Sequence, residues 1–267
     1  MSRNMKKFFL IIVFTVPLFA AFELQQLNSE IVGTGGIVSL HPFGNNPGFF
    51  PDDSKLSLST NYTNLFGIKD LHCWDLGLQY TIRPSMSASF KANSVGSDVY
   101  QENTYTLGYS YRFGIPIAAG ISLSYYDLSV SGFSREQAIG LSSGIIYYLN
   151  DNLKAATLFG NFNRPRICNK KEALPEFFAF GIRWQVNPFI SVSSEIFKDT
   201  LYPFNFRVAT QLKPLKFIHL FTGMQTNPDR FSGGISINIS KVQFTSALQS
   251  HLKLPNTYYF GCSFMLK

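Results

Sequence analysis

Charge is scarce in this chain of 267 residues. Only 15% are Asp, Glu, Lys or Arg, where a soluble domain carries about a quarter. There are three cysteines and two tryptophans. Cys73, Cys168 and Cys262 fit no metal-ligand spacing, and the four histidines are scattered without a partner at ligand spacing. No metal and no cofactor is expected. G-x-S-x-G, HExxH and P-loop patterns are all missing. A hydrolase needs a nucleophile, a base and an orienting group within reach. No motif assembles them, so an enzyme is not expected. After residue 21 no stretch approaches twenty continuous apolar residues, which excludes helical membrane spans.

The aromatic content is the opposite extreme, with 27 Phe and 13 Tyr. The stretch from Tyr105 to Leu128 shows how they are used. Tyr105, Leu107, Tyr109, Tyr111 and Phe113 alternate with Thr106, Gly108, Ser110 and Arg112. Beyond a tight turn at Phe113-Gly114, Ile115, Ile117, Ala119, Ile121, Leu123 and Tyr125 alternate with Pro116, Ala118, Gly120, Ser122 and Ser124. A period of two puts large apolar groups on one strand face and small or polar groups on the other. Each arm matches a tilted bilayer-crossing strand of roughly 9–11 residues.

The same pattern predicts fourteen strands, over 55–63, 70–83, 85–95, 101–113, 115–128, 135–149, 152–162, 175–185, 188–197, 203–212, 215–225, 230–240, 241–250 and 256–266. Every other connection is tight, as at Arg83-Pro84, Asn150-Asp151 and Asn187-Pro188. The intervening ones are longer, as at 96–100, 129–134 and 163–174. Short turns on one rim and long loops on the other are the asymmetry of an outer-membrane barrel. The expected fold is therefore all-β, a transmembrane antiparallel β-barrel spanning 55–267, set in bacterial outer-membrane lipid with both termini periplasmic.

Residues 1–20 read as a signal peptide. Arg3, Lys6 and Lys7 precede an apolar run from Phe8 to Phe19, and Ala20 and Ala21 offer a cleavage site. Its removal takes away three of the 23 cationic residues and none of the 16 acidic ones, leaving a net charge of +4. That balance is too mild and dispersed for nucleic acid. Residues 21–54 have no strand pattern but are rich in glycine and too apolar for a solvated tail. They are expected to form an N-terminal plug or hatch.

Gly33-Thr34-Gly35-Gly36, followed by Asn46-Pro47-Gly48, resembles the opening of the FadL-like superfamily of fourteen-stranded barrels, and most closely its PorV/PorQ-like branch from type IX secretion. The family's Asp/Ala stretch is replaced here by Ile37 to Asn45, and its Asn-Pro-Ala by Asn-Pro-Gly. The resemblance implies that Gly33, Gly35, Gly36, Asn46, Pro47 and Gly48 belong to a hatch inside the barrel. It implies a docking or scaffold barrel for a secreted protein or secretion-system component, or alternatively a channel for small hydrophobic molecules, which would be its ligand.

The small, polar face should line the lumen, with Asp75, Arg112, Arg183, Glu195 and Arg207 as its charges. A register pairing 181 with 195 places Glu195 diagonally beside Arg183, about 7 Å or less between Cα positions. Such charges act either on a ligand or as a polar network that fills the barrel and holds the hatch. Arg164, Arg166, Lys170 and Lys171 form a basic loop patch that could meet acidic lipid headgroups or an acidic partner. Tyr80, Phe113, Tyr147, Trp184 and Phe217 are expected as interface aromatics. His219, in step with Phe217 and Phe221, is expected on the lipid face. Cys73 and Cys262 are expected near opposite ends of the barrel, too far apart to bridge.

Overall fold

The computed structural model describes residues 21–23, 26–43, 45–50, 54–168, 172–200 and 202–266. The predicted signal peptide lies outside the described residues. Alternating sequence becomes alternating burial in fourteen long strands. They are β1 (Leu56–Asn64), β2 (His72–Arg83), β3 (Met86–Gly96), β4 (Tyr100–Arg112), β5 (Ile117–Val130), β6 (Glu136–Asn150), β7 (Leu153–Gly160), β10 (Phe177–Asn187), β11 (Ile190–Asp199), β12 (Asn205–Leu215), β13 (Ile218–Gln225), β14 (Arg230–Ile239), β15 (Val242–Gln249) and β16 (Thr257–Leu266). Between β7 and β10 a loop carries two short strands, β8 (Arg166–Ile167) and β9 (Glu172–Ala173).

Each long strand pairs antiparallel with its sequence neighbour, and β16 pairs with β1 to close the barrel. Closure leaves no sheet edge unpaired, which a lipid environment demands. Along β4 and β5, Leu107, Tyr109, Ile121 and Leu123 face outward at 43–61% exposure, while Thr106, Ser110, Ser122 and Ser124 are buried inside. Tyr80, Phe113, Tyr147, Trp184 and Phe217 all stand exposed toward the rim of short turns. An apolar wall with aromatics at its border and a small, polar interior is the pattern of a membrane-spanning barrel. No described helix is long and apolar enough to cross a membrane.

Two expectations fail. His219 points inward, as does Phe221, which is buried. The outward residues of β13 are Leu220, Thr222 and Met224. Phe217 lies in the turn before the strand, and the register shifts between Leu212 and Leu215, so its exposure does not carry the phase into β13. Inside, the Phe221 ring occupies space left by two glycines: a Cβ at Gly33 would sit 2.1 Å from it, and one at Gly234 2.4 Å. The cysteine placement is also corrected. Cys73 lies opposite Thr63 and Cys262 opposite Thr60, on the two strands flanking β1. They remain unbonded, because three residues along β1 and two strand spacings, each component about 10 Å, separate them.

Candidate functional site

The N-terminal residues 26–50 are held against the inner wall. Helix α1 (Ser29–Gly33) is only five residues long, too short to stand alone. Asn28 caps it, its Oδ1 accepting from the backbone N–H of Glu30 at 3.0 Å and Ile31 at 3.2 Å. The wall supplies the rest. Ser29 donates from its N–H (3.0 Å) and hydroxyl (2.8 Å) to Oδ1 of Asn61, whose Nδ2 donates to Asp75 at 3.0 Å. Lys91 stands 3.7 Å from Asp75 and donates to Asn45 Oδ1 at 2.7 Å. Apolar packing joins in, with Leu27 and Val32 against Phe221, Ala247 and Tyr259.

After α1 the chain turns through Gly35 and Gly36, at φ of +70° and +80°, conformations glycine adopts without steric cost. At Gly35 a Cβ would also lie 2.9 Å from the Met224 carbonyl oxygen. The next residues wrap around one carboxylate. Glu195 accepts from the N–H groups of Val38 (3.0 Å) and Ser39 (2.7 Å) and from the Ser39 hydroxyl (2.6 Å). Arg207 Nη1 donates to Glu195 at 2.8 Å and to the carbonyl of Gly36. Its guanidinium lies 3.9 Å from the Phe197 ring centre. The pair is almost fully enclosed, with side-chain exposures of 9% and 0%. Removing one partner would therefore strand a buried charge.

Asn46 fixes the next bend. Its Nδ2 donates to the carbonyls of Ser39 (2.6 Å) and Thr157 (3.1 Å), and its Oδ1 accepts from Gly48 N–H at 2.8 Å. Pro47 and Gly48 then lie on a smooth floor. A Cβ on Gly120 would come 2.0 Å from the Pro47 carbonyl oxygen, and one on Gly48 2.6 Å from that of Gly144.

Two cavities lie toward the two rims. One of about 330 Å³ is lined by Val32, Gly36, Asn205, Arg207, Gln225 and Arg230, toward the long loops. The other, of about 580 Å³, is lined by Glu30, Phe43, Phe49, Arg183, Lys213 and Lys241, among others, toward the short turns.

No protein-family description matches the sequence, and no curated protein does. Solved structures do match across most of the chain. A monoaromatic hydrocarbon channel, CymD, superposes with a TM-score of 0.69 at 12% identity, covering 92% of this chain and 99% of its own. A FadL homologue from Pseudomonas aeruginosa gives 0.65 at 10% identity, covering 93% and 100%. The toluene transporter TodX of Pseudomonas putida gives 0.59 at 13% identity, covering 88% and 96%. The fold is that of the FadL-type barrels.

Within this FadL-type barrel the predicted site residues distribute unevenly. Gly33, Gly35, Gly36, Asn46, Pro47 and Gly48 are all buried and lie along the inner segment. Asp75, Glu195 and Arg207 face the lumen and are buried, and Arg112 and Arg183 are half-buried. The register pairs Gly181 with Glu195. That register sets Glu195 diagonally beside Arg183, but the two side chains do not pair. Arg207 stands directly opposite Glu195 on β12 and takes the carboxylate, while Arg183 Nε donates to Ser193 at 3.0 Å. Arg112 lies 4.4 Å from the Phe50 ring centre. Two of the four basic loop residues are described. Arg164 pairs with Glu176 at 3.0 Å, Arg166 sits in β8, and Lys170 and Lys171 lie outside the described residues. Asn61, Lys91 and Ser232, whose hydroxyl accepts from Gly35 N–H at 3.0 Å, escaped the sequence reading. Each is a polar residue in phase with the small inward face, which is the only signal that marks them.

Proposed function

We propose that the protein is an outer-membrane channel for small apolar molecules, with residues 26–50 as a plug whose displacement opens the lumen. The observation that carries this is the grip of Glu195 and Arg207 on Gly36, Val38 and Ser39, between cavities toward either rim. A segment held by polar contacts to side chains, rather than built into the sheet, can shift without breaking the barrel. The fold shared with hydrocarbon channels supports the reading, and it supports the channel over the secretion-docking role suggested by the sequence opening. In this arrangement the long loops face outward and the short turns and both barrel ends face the periplasm.

Uptake into vesicles tests it. Liposomes carrying the protein should equilibrate a small aromatic such as toluene faster than empty liposomes or liposomes with an unrelated barrel. Equal rates would overturn the channel. Native mass spectrometry in mild detergent tests the docking role on the same material, since a stoichiometric protein partner would favour it.

A further inference from the structure

The two ends of the lumen differ in charge balance. The buried carboxylates of the barrel strands, Asp75, Glu102, Asp127, Glu195 and Asp199, lie toward the loop rim, where Lys91, Arg135 and Arg207 pair with Asp75, Asp127 and Glu195. The cavity of about 580 Å³ at the turn rim is different. Its described lining carries three fixed cations, Arg183, Lys213 and Lys241, against one carboxylate, Glu30. None of the three cations forms an ion pair with a described residue. Arg183 spends one N–H on Ser193 and keeps the rest of its fork. The same lining includes the rings of Phe43, Phe49 and Phe221. The volume falls within the range that takes small ligands, roughly 300–1,000 Å³.

We infer that this turn-side cavity binds a small organic anion with an apolar body, of which an aromatic monocarboxylate is the simplest case. A guanidinium receives a carboxylate in a two-pronged fork, and lysines add charge without imposing direction. Aromatic faces take the ring. A hydrocarbon would leave the cations unused, and a bare inorganic anion would leave the rings unused. The inference goes beyond the channel reading, because binding here requires no movement of the inner segment.

The test is equilibrium binding to the purified full chain in a non-ionic detergent, with benzoate, benzyl alcohol, benzylamine and inorganic phosphate as probes. Benzoate should bind at least tenfold more tightly than each of the other three. The double variant K213Q/K241Q, at two exposed rim positions that a correctly folded barrel tolerates, should lose about tenfold for benzoate and nothing for benzyl alcohol. Arg183→Gln should do the same. Benzyl alcohol binding as well as benzoate would overturn the anion site. Phosphate binding as well as benzoate would overturn its amphipathic character. Unchanged benzoate affinity in both variants would place the site elsewhere and overturn the assignment. Toluene uptake by vesicles carrying K213Q/K241Q is read separately, so failure of the channel and failure of this site are distinguishable.

Discussion

Four donors converge on Glu195: two backbone N–H groups and a hydroxyl from the inner segment, and a guanidinium from β12. Such a carboxylate is stable in the interior because its lone pairs are used. Glu195→Ala should leave Arg207 as an unpaired buried charge, at a cost on the order of 3–5 kcal/mol. That exceeds what the short segment can recover elsewhere. The expected result is a folded barrel with a loosened segment, seen as new protease cleavage within residues 26–50. Protection equal to wild type would remove Glu195 from the latch. Gly36→Val should act in the same direction, because a β-branched residue at φ +80° is strained by about 1–3 kcal/mol. The register that pairs 181 with 195 follows from alternation together with the short turn at Asn187-Pro188. The identity of the partner does not, because every barrel strand has two neighbours, and Arg207 lies across the one not joined by the short turn.

At the scale of the element, the inner segment and the wall beneath it are shaped to each other. Asn46-Pro47-Gly48 can lie flat only because β5 and β6 present Gly120 and Gly144 under it. Gly144→Leu should therefore displace the segment while leaving strand pairing intact. The check is a spin label or fluorophore at Phe49, whose mobility should rise. No change in mobility would mean that the contact is dispensable. The outer face of β4 carries the opposite requirement. Leu107 is 61% exposed at mid-strand, so Leu107→Arg should cost about 2–4 kcal/mol on folding into lipid. The same change at Val99, in the loop between β3 and β4 and 63% exposed, should cost about 0–1 kcal/mol. Equal effects in folding titrations would contradict the placement of the lipid belt. His219 shows where element-level reading fails. Both faces of β13 carry large apolar groups, so period alone does not choose the phase, and Phe221 went inward because Gly33 and Gly234 left it room.

For the molecule as a whole, the barrel and the inner segment are separable in principle. The wall is closed by its own backbone ladder, whereas the segment is attached through side chains. Deleting residues 26–50 should leave a β-rich, detergent-stable barrel whose conductance in planar bilayers is several times that of the intact chain. An unchanged conductance would show that the segment does not occlude the lumen, and would remove the basis for a plug.

The sequence by itself determined the strands, their number, the two unequal rims and the division into outward and inward residues. Each of these follows from a local period of two and from turn chemistry, which act between residues close along the chain. Gly33, Gly35, Gly36 and Asn46 were marked only by the resemblance of the opening motif. Tertiary structure alone decided which charges meet, which face of β13 turns inward, and that three cations and three phenylalanines share one cavity. Those outcomes depend on ring closure, which brings β1 beside β16, and on a segment from residues 26–50 crossing a wall built from residues as far along the chain as Tyr259. Contacts over such separations are set by the fit of side chains into a common interior, and a single strand's pattern carries no record of what lies across it.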